Sequence, residues 1–225
     1  VVPTPSVCTP TFVTPDVKCN ARLQYWSRRH LPSLYFVNPA EPHLLDMAMQ
    51  GLWNELQRNP LGTTYYGCVP YLMGEGQAMQ FSFWPMSDVP LKVPGVPFRR
   101  PPDNYLRDNM RLTLDRMDVE IEMRVQLQTD PFLMPIENNA VLWPVKLSPR
   151  IPVATLKIPR QQFDDARHFN LTRNLKFNPW HCLPEHRPLG NQSRARKRMY
   201  DELAIFRQKM NAEKHIEPTP EKPFG

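Results

Sequence analysis

Glycine is scarce, 8 residues in 225. A phosphate-cradling loop needs closely spaced glycines opening onto a helix, and Gly74-Glu75-Gly76 lacks both the third glycine and the helix. Dinucleotide and P-loop chemistry are therefore excluded, and no nucleophile elbow stands anywhere in the chain. Cysteine is also sparse: Cys8, Cys19, Cys68 and Cys182 form no C-x-x-C pair and match no zinc framework by spacing. Cys182 lies between His181 and His186 on a turn, without a fourth ligand, and reads as structural. Reduced thiols in an intracellular protein are the simplest reading, with mitochondrion, peroxisome and cytoplasm equally compatible. No run of about 18 apolar residues occurs, so no membrane span is expected.

The excess of 28 basic over 22 acidic residues leaves a net charge of +6 and a pI near 9.3. That balance suits nucleic acid, acidic lipid or an anionic cofactor. No aromatic-interleaved basic strand and no helix-turn-helix spacing is present, so nucleic acid is not expected as a partner. Arg194, Arg196, Lys197 and Arg198 crowd one helix start and read as a solvated basic face or as contacts to an anionic group.

Proline is abundant, 27 residues. It predicts short elements and long wrapping segments. Apolar content of 41% with 22% charged residues is that of an ordinary globular chain, long enough for one domain with a core. Residues 1–213 are read as that domain, and 214–225 as an extended Pro-rich tail.

Residues 1–40 show no sustained period and are expected as strand fragments and loops. Leu44, Leu45, Met47, Ala48, Leu52, Trp53 and Leu56 recur at helical intervals, predicting a helix from Pro42 to Arg58 that Asn59-Pro60-Leu61-Gly62 ends. Residues 77–84 read as a strand and 85–102 as a Pro-laden loop. A second helix is expected after Asp103, capped by its carboxylate. The cleanest pattern is Val119, Ile121, Met123, Val125 and Leu127 alternating with Glu120, Glu122, Arg124, Gln126 and Gln128. Period two predicts a strand with one buried and one polar face. A further strand is expected over 152–158. Of the paired carboxylates, Asp164-Asp165 reads as a turn and Glu120/Glu122 as a solvated strand face, neither as an acid–base pair. The order predicts an α+β fold around antiparallel strands.

The segment FNPWHCLPEHRPLGNQSRARKRMY, residues 177–200, feeds a rigid turn into a helix expected from Ser193 to Ala212, with Tyr200, Leu203, Ala204 and Phe206 on its apolar side. Arg196 and Tyr200 stand four residues apart and share one helical face. A fixed guanidinium beside a phenol favours its charged form, and a phenolate is a hard ligand suited to ferric iron. A core tyrosine whose hydroxyl is satisfied by Arg196 is the alternative.

This segment resembles the C-terminal haem-binding part of catalase-like haem proteins, a divergent branch of the catalase superfamily related to allene oxide synthase-like proteins. The similarity continues through Gln126 to Pro131, Met134 to Glu137, Trp143-Pro144, Pro152 to Leu156, Tyr71 to Gly76 and, more loosely, Thr9 to Phe12. What the resemblance implies is a partial antiparallel β-barrel of the catalase type, wrapped by Pro-rich loops and closed by a C-terminal helix. It implies haem b as cofactor, Tyr200 as iron ligand, Arg196 as its supporting cation, and His181 and His186 as possible propionate contacts. It also calls for a distal histidine ahead of the Thr-Pro-x-Phe strand, and none precedes Thr9. His30 and His43 are the next histidines, and neither aligns with that role. The segment is therefore expected to lack the distal wall and first barrel strands. Three readings stay open: haem-dependent turnover of peroxide or hydroperoxide with the distal half on another chain, a catalytically inactive structural subunit of a larger, conceivably mitochondrial assembly, and haem binding without turnover. Other protein chains are the expected partners.

Overall fold

The structure, a computed structural model, describes residues 6–7, 14–52, 54–55, 57–90, 92–93 and 101–212. The Thr9–Phe12 landmark, Cys8, Trp53, Leu56 and the 214–225 tail lie outside the described residues.

Seven strands and six α-helices are described: β1 Ser6–Val7, α1 Val17–Ser27, α2 Ser33–Phe36, α3 Leu44–Leu52, β2 Asn54–Glu55, β3 Tyr65–Tyr66, β4 Tyr71–Leu72, β5 Ala78–Pro85, α4 Tyr105–Leu114, β6 Val119–Leu127, β7 Ile151–Ile158, α5 Ala166–Asn174 and α6 Gly190–Met210. The fold is α+β. Its main sheet is antiparallel and open, in the order β3-β5-β6-β7, with β4 also pairing β5. β5 runs Met79↔Leu127 to Pro85↔Ile121 against β6, and β7 shifts register between Met123 and Arg124. β7 has a partner only on its β6 side among the described residues, which is how Pro152, lacking an N–H, is tolerated within a strand.

The alternation in β6 sets one side of the sheet. Val119 and Ile121 join Leu61, Val89 and Leu114 in a core against which Phe83, Met110 and Phe163 pack. α4 reaches this core through Met110 and Leu114, one turn apart and so on one face. A second core holds Ala78, Met134 and Trp143 under Ile136 and Leu189.

The period-two burial is clean from Val119 to Ile121 and fades beyond it, where Glu122, Met123 and Arg124 are all half-buried. Gln126, assigned to the polar face, is 2% exposed, and its amide donates to the Trp143 carbonyl at 3.2 Å and the Ser148 carbonyl at 2.8 Å. Pro-rich loop 128–150 covers this end of the sheet, and the amide satisfies carbonyls that such a loop leaves unpaired.

The expectation of strands and loops before residue 40 is overturned by α1 and α2. Asp16 caps α1 by accepting from the Cys19 N–H at 2.9 Å. Cys19, Leu23 and Trp26 then present one face to Tyr35 and Phe36 of α2. The third helix is shorter than Pro42–Arg58, ending at Leu52 ahead of β2. Asn59 opens a separate 3-10 turn, Pro60–Gly62, by accepting from Leu61 N–H at 3.1 Å. Asp103 is not the N-cap of α4; Asn104 holds that position, without a side-chain bond. Asp165, expected in a turn, caps α5 by accepting from His168 N–H at 2.9 Å.

Candidate functional site

The turn before α6 is built onto the sheet. Leu72 N–H donates to the Arg187 carbonyl at 2.9 Å, Gly74 N–H to Glu185 at 3.0 Å, and Leu189 N–H to Pro70 at 2.8 Å. Tyr71 and Pro188 form an antiparallel bridge at the centre of this ladder. The prolines around it hold φ near −65° and keep the turn from becoming helix. Trp180 pins its other end, its indole N–H donating to the Ser193 carbonyl at 2.8 Å. Asn178 orders the stretch between, accepting from Trp180 N–H at 3.0 Å and donating to the Asp201 carboxylate at 3.1 Å.

α6 starts at Gly190, three residues ahead of the expected Ser193, with φ of +83°. A Cβ there would stand 2.5 Å from the Ile136 carbonyl oxygen, so only glycine permits this approach. The helix has no side-chain cap from its own N-cap residue, Leu189. Glu137 serves instead: its carboxylate accepts from Asn191 N–H at 2.8 Å and its carbonyl from the Asn191 amide, also at 2.8 Å. Arg194 clasps the same carboxylate at 3.0 and 3.1 Å, and this guanidinium, with the Asn191 N–H, holds the Glu137 carboxyl below its usual range.

One turn farther, Arg196 Nη2 donates to Tyr200 Oη at 3.0 Å, with the guanidinium carbon 5.3 Å from the ring centroid. Both side chains are half-buried. The ladder sets Tyr71 of β4 close to them. Burial pushes the Tyr71 phenol up, while the Arg196 charge opposes that rise; Tyr200, Cys182 and Cys68 stand near enough to add to it. The Tyr71 ring also meets Phe81 of β5 at 4.9 Å. Arg196, Tyr200 and Tyr71 thus come together from helix and sheet.

His181 and His186 do not join that group through any described contact. Both are exposed. His181 lies near Asp201, whose carboxyl is held below its usual range by a hydrogen bond from Lys176, 2.6 Å away. His186 ends the 3-10 turn Pro184–His186. Leu203 and Phe206, expected on the apolar side of α6, are 59% and 60% exposed, whereas Ala204 is buried. Two grooves lie along α1, one lined by Arg22, Tyr25, Trp26 and Glu41 and the other by Tyr25 and Arg29; neither includes Tyr200.

Sequence reasoning treated Tyr71 only as a landmark ahead of a strand and Glu137 only as part of a motif. Nothing local marks their neighbours, because Tyr71 is brought near Arg196 and Tyr200 by the sheet–turn ladder and Glu137 meets Arg194 across 57 positions. Among the described residues no helix is long and apolar enough to cross a membrane.

No family model and no curated protein matches the chain. Solved structures do. A fungal catalase matches with a TM-score of 0.56 and 14% identity, covering 76% of this chain and 38% of its own. Catalase A from Saccharomyces cerevisiae matches at 0.55 and 12%, covering 76% and 40%. A bacterial catalase matches at 0.57 and 11%, covering 94% and 45%. The chain spans about two fifths of the length of these catalases. At such identities the likeness is one of fold: this chain has the α+β architecture of part of a catalase, with an antiparallel sheet left open.

Proposed function

We propose that this chain is the proximal part of a catalase-related haem-binding domain, with Tyr200 as the iron ligand. The observation that carries the reading is the 3.0 Å hydrogen bond from Arg196 to the Tyr200 hydroxyl, on the helix that follows the turn, in a fold shared with catalases. The donor set suits the group. A guanidinium N–H fixes the phenol oxygen through a charge-assisted hydrogen bond, and a tyrosine oxygen is an established axial ligand of haem iron.

Bound haem would supply the redox chemistry of ferric iron towards a peroxide or hydroperoxide. Tyr200 would present its oxygen to the iron. Arg196 would hold that oxygen in place from one turn upstream, and Tyr71 would cover the pair from the sheet. His181 and His186, exposed on the turn, would face propionates. A distal histidine to move the substrate proton would come from outside these 225 residues.

A specific observation favours a second reading, an inactive subunit with an architectural role in a larger assembly. Met199, Leu203, Phe206 and Met210 recur at helical spacing on α6 and are all exposed, and Ile151, Val153 and Leu156 of edge strand β7 are exposed as well. An open edge and an apolar helical stripe are surfaces that partner chains cover.

The two readings separate in one titration. The purified chain is mixed with ferric haem and its absorption spectrum recorded. A stoichiometric Soret band with high-spin, tyrosine-ligated character, lost in Tyr200→Phe, supports the haem reading; a chain that leaves the haem spectrum unchanged overturns it. A colourless chain that co-purifies with other polypeptides and is inert to peroxide supports the subunit reading.

A further inference from the structure

Cys19, Glu41 and His43 lie far in sequence from the haem candidate and play no part in it. Their donor atoms, a thiol sulfur, a carboxylate oxygen and an imidazole nitrogen, all fall within 4.8 Å of one another. Each is positioned by backbone. Cys19 sits in the capped first turn of α1, its N–H on the Asp16 carboxylate at 2.9 Å. Glu41 follows a turn in which Asn38 accepts from Ala40 N–H and Glu41 N–H, each at 3.2 Å. His43 is tied to α2 by its own N–H, which donates to the Phe36 carbonyl at 2.9 Å.

The imidazole is arranged as a ligand would be. His43 Nδ1 lies 3.0 Å from the Asp46 carboxylate. A ring nitrogen facing a carboxylate carries the proton, which leaves the lone pair on Nε2. That Nε2 is buried with no hydrogen-bond partner. Tyr35 stacks flat on the ring, centroids 4.5 Å apart and planes within 9°, fixing its orientation. The Tyr35 side chain is itself buried, the residue 3% exposed, and its hydroxyl is a second buried group lacking a well-formed hydrogen bond. It lies beside Cys19, Glu41 and Asp46. A buried ring nitrogen without a partner, on a histidine clustered with a thiol and a carboxylate, is a group that a ligand would satisfy.

We propose that Cys19, Glu41 and His43 form a zinc site, with His43 binding through Nε2 and Asp46 as the carboxylate that orients it. Thiolate, imidazole and carboxylate are together a zinc donor set, and the carboxylate–histidine–metal relay is the usual second layer of such sites. Three protein ligands leave one position for water or the nearby Tyr35 hydroxyl. Tetrahedral zinc separates a thiolate sulfur and an imidazole nitrogen by about 3.5 Å, a contraction that side-chain rotation supplies. Glu41 is the exposed member: its Oε2 pairs with Arg22, while Oε1 faces the Cys19 sulfur at 4.0 Å. Cys19 binds as thiolate and its proton passes to solvent. Spacing gave no hint of this site, because a lone cysteine near a Glu-x-His pair fits no framework.

The test is a titration of the full chain with Zn²⁺ against a chromophoric chelator, with Co²⁺ as a spectroscopic replacement. One equivalent of zinc should bind, and cobalt should give a thiolate charge-transfer band with tetrahedral d–d bands. Cys19→Ser should abolish that band and Cys182→Ser should leave it. Asp46→Asn should weaken zinc about 10–100-fold, the usual cost of losing an orienting partner. Glu41→Gln, at an exposed position that does not hold the core, should weaken it at least about tenfold and decides the matter if Cys19→Ser unfolds. Failure to bind one equivalent, survival of the band in Cys19→Ser, or unchanged affinity in Glu41→Gln overturns the site. Tyr200→Phe should bind zinc like the parent, which keeps this result separate from the haem titration.

Discussion

Arg194 and Glu137 meet through both terminal guanidinium nitrogens and both carboxylate oxygens, at 3.0 and 3.1 Å. The same carboxylate caps α6 at Asn191. Its pKa is held down, so the native state takes up this proton less readily than the unfolded chain. The stability it contributes is therefore complete above the unfolded carboxyl range and lost as pH falls through the depressed native value. Glu137→Gln should lower stability at pH 7 by about 0.5–1 kcal/mol, the size of a cap with an exposed ion pair. Parent and variant should converge in acid. Urea midpoints at pH 7 and pH 3 check this, and a gap that persists unchanged at pH 3 sinks it.

Gly190 carries the second expectation. Alanine there would adopt a left-handed conformation, costing about 1–2 kcal/mol, and would drive its Cβ into the Ile136 carbonyl. A total loss above about 2 kcal/mol is expected in denaturant unfolding. A midpoint within error of the parent would mean that the loop and helix do not meet as described.

Arg196 and Tyr200 can be dissected by haem titration. Arg196→Ala removes a charged hydrogen bond, worth about 1.5–3 kcal/mol, and should weaken haem binding by roughly 10–100-fold. Arg196→Lys should recover part of it, since one ammonium donor can still reach the phenol. If Arg196→Ala leaves affinity and spectrum untouched, the guanidinium has no role in ligation.

Asn59 is fully buried and makes three side-chain bonds: its amide reaches across the core to the Pro90 carbonyl at 3.1 Å and Thr113 Oγ1 at 3.0 Å, and its oxygen accepts locally from Leu61 N–H at 3.1 Å. Asn59→Leu strands those groups and should cost about 2–4 kcal/mol. Asn59→Asp keeps the acceptor but buries a charge, and should fare no better at neutral pH. Thermal unfolding at pH 7 distinguishes these from a neutral outcome.

What was legible along the chain was local. β5, β6 and β7 stand within a residue or two of their expected bounds, β5 and β6 because a strand's two faces repeat every second position. α4 and α6 follow from helical spacing, and the Arg196–Tyr200 contact from i, i+4 geometry. α1 escaped because its apolar face is narrow, Cys19, Leu23 and Trp26 among polar neighbours, and earns its burial only against α2. The apolar residues of α6 misled in the opposite direction. Leu203 and Phe206 carry a buried-face pattern, yet nothing among the described residues covers them.

The sequence by itself determined the strands β5, β6 and β7 and the helices α4 and α6, and that a guanidinium and a phenol would touch on the last helix. Both follow from backbone periods that act over a few residues. Tertiary structure alone decided that Tyr71 would lie beside that pair, that Glu137 would cap α6, and that Cys19, Glu41 and His43 would converge. Those meetings depend on how loops return and which edges pair, and no period in the chain encodes the distance between segments that only folding brings together.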